Sequence, residues 1–455
     1  MDKARSKRRR GLPALLVALL YLAFLACPLA LASLDAQKTP IWREIASGAG
    51  ALGFAFVLAE FVLSGRFTLV SGHVGIDAIM RLHQLAGRAA LVLIAFHPLL
   101  YILPRLSCDP ADALSTLGSM FASGSLRSGA VAWTLTMALV AMAIWRDQLH
   151  MKYETWRLSH GLGAALIAGL SLHHALGIGS HTSAPALALY WQVSFTLAIL
   201  TLVHIYIVRP LRRMRRPYRV ASVEITAERT WLLLVEPCDG DAVSFEPISF
   251  EAGQFVWLNI GHSPFSLIEH PFSISSAPQA RHLQFLIKES GDFTSRIGSV
   301  KPGAQVWIDG PYGQFTLPDD IGGHKLQPLV FIVGGVGVAP VLSILRDLEK
   351  WSPKRAVSLI YGNRLSSQIV ALDELRAMEA RLGLSLNLVL GEPPEDWNGL
   401  TGDLSERILS PLLTPLADGA RYMICGPPPM IDSVELTLKR LGIGRRAIFT
   451  ERFRY

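Results

Sequence analysis

The sequence predicts an α-helical membrane bundle of six spans, followed by an all-β barrel and an α/β domain. Three observations predict it. Long apolar runs fill residues 1–217 and stop there. Residues 218–455 read instead as a soluble chain, in which short strand-like segments are punctuated by glycine and proline. Within the apolar part, four histidines fall into two pairs of equal spacing. The overall composition, 51% hydrophobic and 17% charged over 455 residues, averages over this division. The expected domains are 1–217, 218–323 and 324–455.

Each span is justified by length and charge. Leu12–Ala32 and Ser128–Trp145 carry no charge, and Leu158–Ile178 and Ala184–Val208 none apart from histidine. Ile45–Leu63 contains only Glu60, and His83–Leu103 only Arg88. About 20 apolar residues cross a bilayer, so six runs give six spans. The first is too long for a secretory signal, and five more follow it. Lys and Arg orient them. Six basic residues open the chain in MDKARSKRRR, and six more follow the last span in RPLRRMRRPYR. The link RDQLHMKYETWR is basic too, while GSHTSAPA has neither Lys nor Arg. Both termini are therefore expected on the cytoplasmic side. The net charge of +7 is mostly this topological signal. With no basic face on the soluble half, nucleic acid is not an expected partner.

The histidine pairs carry the most chemistry. His83 and His97 stand fourteen residues apart, as do His160 and His174. On a helix that gap is about 21 Å, with a residual rotation of roughly 40°, so each pair shares one face. Two such helices side by side would hold two metal centres, one towards each face of the bilayer. Haem with two axial imidazoles suits that arrangement, and ionisable groups within spans tend to mark function. His173 adjoins His174, but a gap of thirteen leaves a rotation of roughly 140°, which favours His174. His204 has no partner at this spacing and is expected to be structural. Arg88, Arg105 and Arg157 are candidates for haem propionates, Arg157 equally for an interfacial anchor. The four cysteines, Cys27, Cys108, Cys238 and Cys425, contain no CxxC, so no iron–sulfur or zinc site is suggested. No CxxCH is present either, so the haems would be b-type. Cys27 and Cys108 both fall towards the outer face, which is all that speaks for a disulfide between them.

Three motifs follow in the soluble half. His270-Pro271-Phe272-Ser273-Ile274-Ser275-Ser276, after the strand-like GQFVWLNI, reads as a barrel strand presenting Ser273 and backbone amides to a flavin. An edge strand opened by proline is the plainer alternative. Gly291-Asp292-Phe293-Thr294 reads as a glycine turn leading into a helix, whose free N–H groups and Thr294 would hold a pyrophosphate. LVFIVGGVGVAPVLSIL is a strand, then Gly334, Gly335 and Gly337, then a helix, the arrangement that brings a dinucleotide phosphate to the backbone. A further strand ends at Arg364, where a basic side chain can meet a 2′-phosphate. That leans the donor towards NADPH, with NADH also accepted. The strand RYMIC ends in Cys425-Gly426-Pro427, expected beside the nicotinamide. The chain closes with Glu451-Arg452-Phe453-Arg454-Tyr455, whose terminal aromatic would cover the flavin.

With these motifs in this order, the soluble half resembles the ferredoxin–NADP reductase family. Joined to six spans with paired histidines, the whole chain resembles the ferric reductase and NADPH oxidase superfamily in a compact bacterial form. The resemblance implies FAD on His270, Pro271, Phe272, Ser273 and Ser276, with Gly291, Phe293 and Thr294 at its pyrophosphate. It implies the nicotinamide dinucleotide on Gly334, Gly335, Gly337, Pro340, Gly426 and Pro427. Cys425, Glu451 and Phe453 are then the catalytic candidates at the reacting rings. It further implies electron flow from cytoplasmic NAD(P)H through FAD and two b-type haems to an acceptor beyond a bacterial inner membrane. Unlike the animal oxidases, which end in phenylalanine, this chain continues from Phe453 through Arg454 to Tyr455, so either aromatic could stack. No calcium-binding loop, regulatory extension or obligatory protein partner is evident. Few basic residues fall in the outer loops (Lys38, Arg43, Arg105, Arg127), which favours dioxygen over an anionic ferric chelate as acceptor. A dedicated periplasmic partner ranks third. A proton-relaying transporter with a nucleotide-sensing domain is the alternative from a different class.

Overall fold

The computed structural model describes residues 11–34, 40–63, 67–106, 108–179, 184–238, 248–317, 327–351, 355–413 and 419–452. The chain divides into two compact units, Met1–Pro210 and Leu211–Tyr455.

In the first unit, six helices are long and apolar enough to cross a membrane. They are α1 (Ala14–Ser33), α2 (Ile41–Leu63), α4 (Ile76–Leu106), α6 (Arg127–Ile144), α7 (Tyr153–Ile178) and α8 (Pro185–Val203), the last continuing through a π-helical turn at His204–Val208. Two shorter helices, α3 (Thr68–Val74) and α5 (Pro110–Ala122), lie between spans. Neither stands out in the sequence as a span. The start of α5 is set by Asp109, whose side chain accepts from the Ala111 and Asp112 amides, with Pro110 in the first turn. Small residues let the helices close on one another. A Cβ at Gly53 of α2 would stand 2.7 Å from Ile94 of α4, and one at Gly163 of α7 would stand 2.9 Å from Leu139 of α6.

The second unit opens with α9 (Arg209–Arg213), whose last residues belong to it, and continues into two six-stranded sheets. The first contains β1 (Tyr218–Ala227), β2 (Thr230–Pro237), β3 (Phe255–Ile260), β4 (His270–Ser273), β5 (Leu283–Lys288) and β6 (Gln305–Tyr312). Its order is β4-β3-β6-β1-β2-β5, and a single bridge between Ile274 and Phe285 brings its two edges together. Inward residues such as Val220, Leu233, Val256, Leu258 and Phe285 fill the enclosed core.

The second sheet is parallel throughout. It comprises β7 (Leu329–Gly334), β8 (Val357–Asn363), β9 (Leu384–Leu390), β10 (Leu400–Thr401), β11 (Arg421–Cys425) and β12 (Ile448–Glu451). Four helices accompany it: α10 (Val338–Trp351), α11 (Leu372–Leu382), α12 (Glu406–Leu413) and α13 (Pro428–Arg440). The order β10-β9-β8-β7-β11-β12 starts the chain at β7, runs it out through β8 and β9, and returns it to β11 on the other side. The switch point thus lies between β7 and β11, where an open parallel sheet forms its ligand crevice at the strand carboxyl ends.

Candidate functional site

The four membrane histidines occupy two helices, His83 and His97 on α4 and His160 and His174 on α7. The ring centres of His83 and His160 are 6.4 Å apart. Imidazole–metal bonds run to about 2.0 Å, and each ring centre lies roughly an ångström beyond its nitrogen. That spacing therefore admits one metal between the two rings. His97 and His174 line a common cavity of about 630 Å³ with Phe54, Trp133 and Trp191. It falls in the size class that holds cofactor-sized ligands. Glycines make this cavity's imidazoles fit. A Cβ at Gly50 of α2 would stand 2.5 Å from the His97 ring, and one at Gly129 of α6 would stand 2.5 Å from Nδ1 of His174.

The imidazoles are held by specific partners. His97 donates its Nδ1–H to the Ala46 carbonyl at 2.7 Å. A carbonyl can only accept, so this bond leaves Nε2 of His97 with the free lone pair, open to a metal. Nδ1 of His83 meets the carboxylate of Glu60. His160 stacks on Trp156 with ring centres 5.2 Å apart. His173 instead turns to Ser128, its Nδ1 3.0 Å from the hydroxyl. It is His174 that lines the cavity. Among the described residues no three His, Cys, Asp or Glu side chains converge. Paired imidazoles across a cavity suit a metal in a planar macrocycle, which brings its own equatorial nitrogens. His204 opens the π-helical turn and packs on Phe67. Arg105 pairs with Asp112, Arg157 lies over Tyr206, and neither Cys27 nor Cys108 is in a disulfide among the described residues.

In the second unit the glycine loop and the Cys425 strand end sit together at the switch point. A Cβ on Gly337 would meet the Cys425 carbonyl at 2.4 Å, and one on Gly334 would meet Met430 Sδ at 2.5 Å. Gly335 has φ of +54°, a left-handed turn that suits glycine. This close approach leads the backbone from β7 into α10, where Pro340 sits in the first turn. Gly426 and Pro427 form the opposite wall. Cys425 is fully buried, and burial with the neighbouring Glu451 carboxylate pushes its thiol up, so it stays protonated. Cys425 and Glu451 are register partners on β11 and β12. The strand end beyond is tied down by Arg452, which bonds Asp432 at 2.5 Å and Glu435 at 2.8 Å. Phe453, Arg454 and Tyr455 lie outside the described residues.

The flavin motif is placed as an edge strand whose end is clamped. Ser273 pairs with Phe255 across β3. Ser276 is buried rather than presented at the surface, its hydroxyl accepting from the Gln284 amide and its carbonyl from the Ser343 hydroxyl. Arg346 of α10 adds bonds to the Ser275 carbonyl and Gln284, while its fork grips Glu374. His270 and Pro271 open the strand. Phe293 stacks on the His270 ring at 4.1 Å, with Phe272 beyond it at 6.3 Å. The helix expected after Gly291 is corrected to a six-residue 3-10 turn, Thr294–Ser299. The Thr294 hydroxyl accepts the Ser290 and Gly291 amides, so the loop satisfies its own donors.

Three features escaped the sequence reading. Lys288 brings its ammonium to 3.9 Å from where a Gly335 Cβ would lie. The strand period gave no sign of it, because β5 and the glycine loop meet only in the fold. Glu60 did carry a signal, being the sole charge in the apolar run Ile45–Leu63. Arg364 at the end of β8 forks onto Glu392, at 2.8 and 3.2 Å.

Comparison with known proteins matches family models to each part of the chain. Residues 49–171 match the family model "Ferric reductase like transmembrane component", which covers His83, His97 and His160 and stops three residues before His174. Residues 244–316 match an FAD-binding domain and 331–435 an oxidoreductase NAD-binding domain. The reductase component of propane 2-monooxygenase from Rhodococcus jostii is 31% identical over 258 residues, 51% of this chain and 65% of that one. NADH-cytochrome b5 reductase 1 of Scheffersomyces stipitis is 33% identical over 177 residues, covering 38% and 61%. The chain thus spans less than two-thirds of either relative. The propane 2-monooxygenase reductase component of Mycolicibacterium goodii is 30% identical over 256 residues, 70% of its length. The crystal structure of an Amycolatopsis cytochrome P450 reductase aligns over 52% of this chain and 69% of that one, at 26% identity and a TM-score of 0.46. Six apolar spans, a flavin-binding barrel and a parallel nucleotide-binding sheet define a multi-pass membrane NAD(P)H oxidoreductase. The chain belongs to the ferric reductase and NADPH oxidase superfamily, with its ferredoxin reductase-like soluble half.

Proposed function

We propose that this protein moves electrons from cytoplasmic NAD(P)H, through FAD and two b-type haems, to dioxygen across a bacterial inner membrane, releasing superoxide. The single observation that carries the reading is the facing of His83 on His160, and of His97 and His174 into one cavity. Bound FAD would turn a hydride into single electrons and bound haem would relay them, chemistry that belongs to the cofactors. The chain's own residues bind, orient and exclude. Gly335, Gly337 and Lys288 receive the dinucleotide phosphates, and buried Cys425 and Glu451 form the floor beneath the reacting ring. Ala46 fixes the His97 tautomer, and Gly50 and Gly129 keep the outer imidazoles close to their neighbours. His83 with His160, and His97 with His174, would occupy both sides of a bound haem and leave no coordination position for the acceptor.

Charge at the outer cavity supports dioxygen. Apart from histidine, Arg43 and Glu44 are the charged residues in its lining, one of each sign. Arg105 nearby is paired with Asp112, while Lys38, and His181 in the GSHTSAPA loop, lie outside the described residues. An anionic chelate needs a cationic funnel, whereas a small neutral molecule does not. With NAD(P)H in air, superoxide dismutase should suppress most of the cytochrome c reduction by the purified protein. Insensitivity to dismutase, with ferric chelate reduced as fast anaerobically, would replace this reading with ferric-chelate reduction.

Donor choice turns on Arg364. A 2′-phosphate must displace Glu392 from the guanidinium, whereas NADH needs no such exchange. Glu392→Gln should therefore raise the ratio of kcat/KM for NADPH over NADH, by about tenfold for roughly 1.4 kcal/mol, and Arg364→Ala should lower it. Lys288→Ala should raise KM for both donors without changing the ratio. An unchanged ratio in both ion-pair variants would remove Arg364 from donor recognition.

A further inference from the structure

We infer that Glu60 is a positioning residue for His83, and that its carboxylate sets the inner haem at a lower midpoint potential than the outer one. The inference rests on the haem reading above and adds a direction to it. Helix α2 runs antiparallel to α4 and supplies an acceptor to each of its histidines. Ala46 and Glu60 are themselves fourteen residues apart, the same interval that separates His97 from His83. The helical repeat on α2 thus answers the repeat on α4, and the two ends differ in one respect. At the outer end Nδ1 of His97 meets a neutral backbone carbonyl, and at the inner end Nδ1 of His83 meets a carboxylate.

That difference has a sign. A hydrogen-bonded carboxylate makes an imidazole a stronger electron donor to its metal and favours the more positively charged, oxidised iron. A peptide carbonyl does so less, since it carries no net charge. The Glu60 side chain is 14% exposed and lies in the run Ile45–Leu63, which holds no other charge, so solvent screens its field little. Placing an ionisable group there is costly, and such groups are retained for function rather than packing. With the inner centre lower in potential, an electron arriving from the cytoplasmic side moves downhill to the outer centre.

The test is a spectroelectrochemical titration of the haem α-band in the purified full-length protein, with Glu60→Gln beside the unmutated chain. Glutamine can still accept from Nδ1 and keeps the geometry while removing the charge. Two one-electron components are expected, and His83→Leu identifies the lower one by abolishing it. In Glu60→Gln the lower component should rise by the equivalent of at least tenfold in its reduction equilibrium, about 59 mV for one electron. The upper component should stay in place and haem should remain at two per chain. A purely structural helix-to-helix bond would leave both midpoints where they were, and that result overturns the inference, as does movement of the upper component alone. If Glu60→Gln does not assemble, the reduced-minus-oxidised infrared difference spectrum of the unmutated protein decides. A carboxylate band should accompany the lower-potential step, and its absence there counts against Glu60. Absence of haem from the unmutated protein would sink the haem reading itself, which separates that failure from this one.

Discussion

His97→Leu should halve the haem content, from two per chain to one, and reduce electron delivery to an external acceptor by more than about a hundredfold. Disturbing even a supporting partner of a metal-ligating histidine costs 10–100-fold, and this change would remove the proposed ligand itself. His97 lines the cavity of about 630 Å³, is fixed through Nδ1 to Ala46, and abuts Gly50. Leucine fills similar space without a nitrogen, so packing survives while coordination does not. His174→Leu should have the same effect from the other helix. His173→Leu should leave both haems in place, because His173 turns to Ser128. Reduction of ferricyanide by NAD(P)H at the flavin should persist in all three variants, showing that the soluble unit is intact. Pyridine haemochrome analysis supplies the count. Two haems in His97→Leu, or loss of one in His173→Leu, would mean that the ligands have been misassigned.

Arg213→Met should lower the stability of the second unit by about 3–5 kcal/mol, the cost of leaving a buried charge without its partner. Arg213 forks between Glu269, at 3.0 Å, and Asp309, at 2.8 Å, with side-chain exposures of 7%, 5% and 11%. Glu269 directly precedes His270, so the guanidinium joins the end of α9 to the root of the flavin strand and to β6. Methionine keeps the apolar stem and leaves two carboxylates facing one another. For a unit of this size the loss corresponds to roughly 10 °C in melting temperature, which flavin release on heating would report. Arg213→Lys should fall between, since one ammonium cannot match a fork. The triple variant Arg213→Met, Glu269→Gln, Asp309→Asn should recover much of the loss. A shift under about 1 kcal/mol in Arg213→Met would show that the carboxylates draw their compensation from elsewhere.

Much of the architecture is legible in local patterns. An apolar run of membrane length declares a span by itself, because no backbone group can go unsatisfied in lipid. Six such runs appear as six long helices. The strand–glycine–helix segment at Leu329–Leu345 is likewise readable, since close backbone approach demands glycine wherever it occurs. The Gly291–Ser299 segment misled because a glycine followed by Thr294 and Ser295 opens a capped α-helix and a self-satisfied 3-10 turn alike.

What the sequence by itself determined was the division into spans, barrel and α/β domain, and the two histidine pairs, since helical period and apolar run length act within one segment. What only the tertiary structure decided was each side chain's partner. Glu60 and Ala46 reach His83 and His97 across two helices, Arg364 reaches Glu392 across neighbouring strands, and Lys288 reaches the glycine loop from the barrel. Arg213 finds Glu269 and Asp309, 56 and 96 positions further along the chain. Such pairings follow from which surfaces the packing brings together, and no periodicity within one segment encodes the identity of a residue that distant.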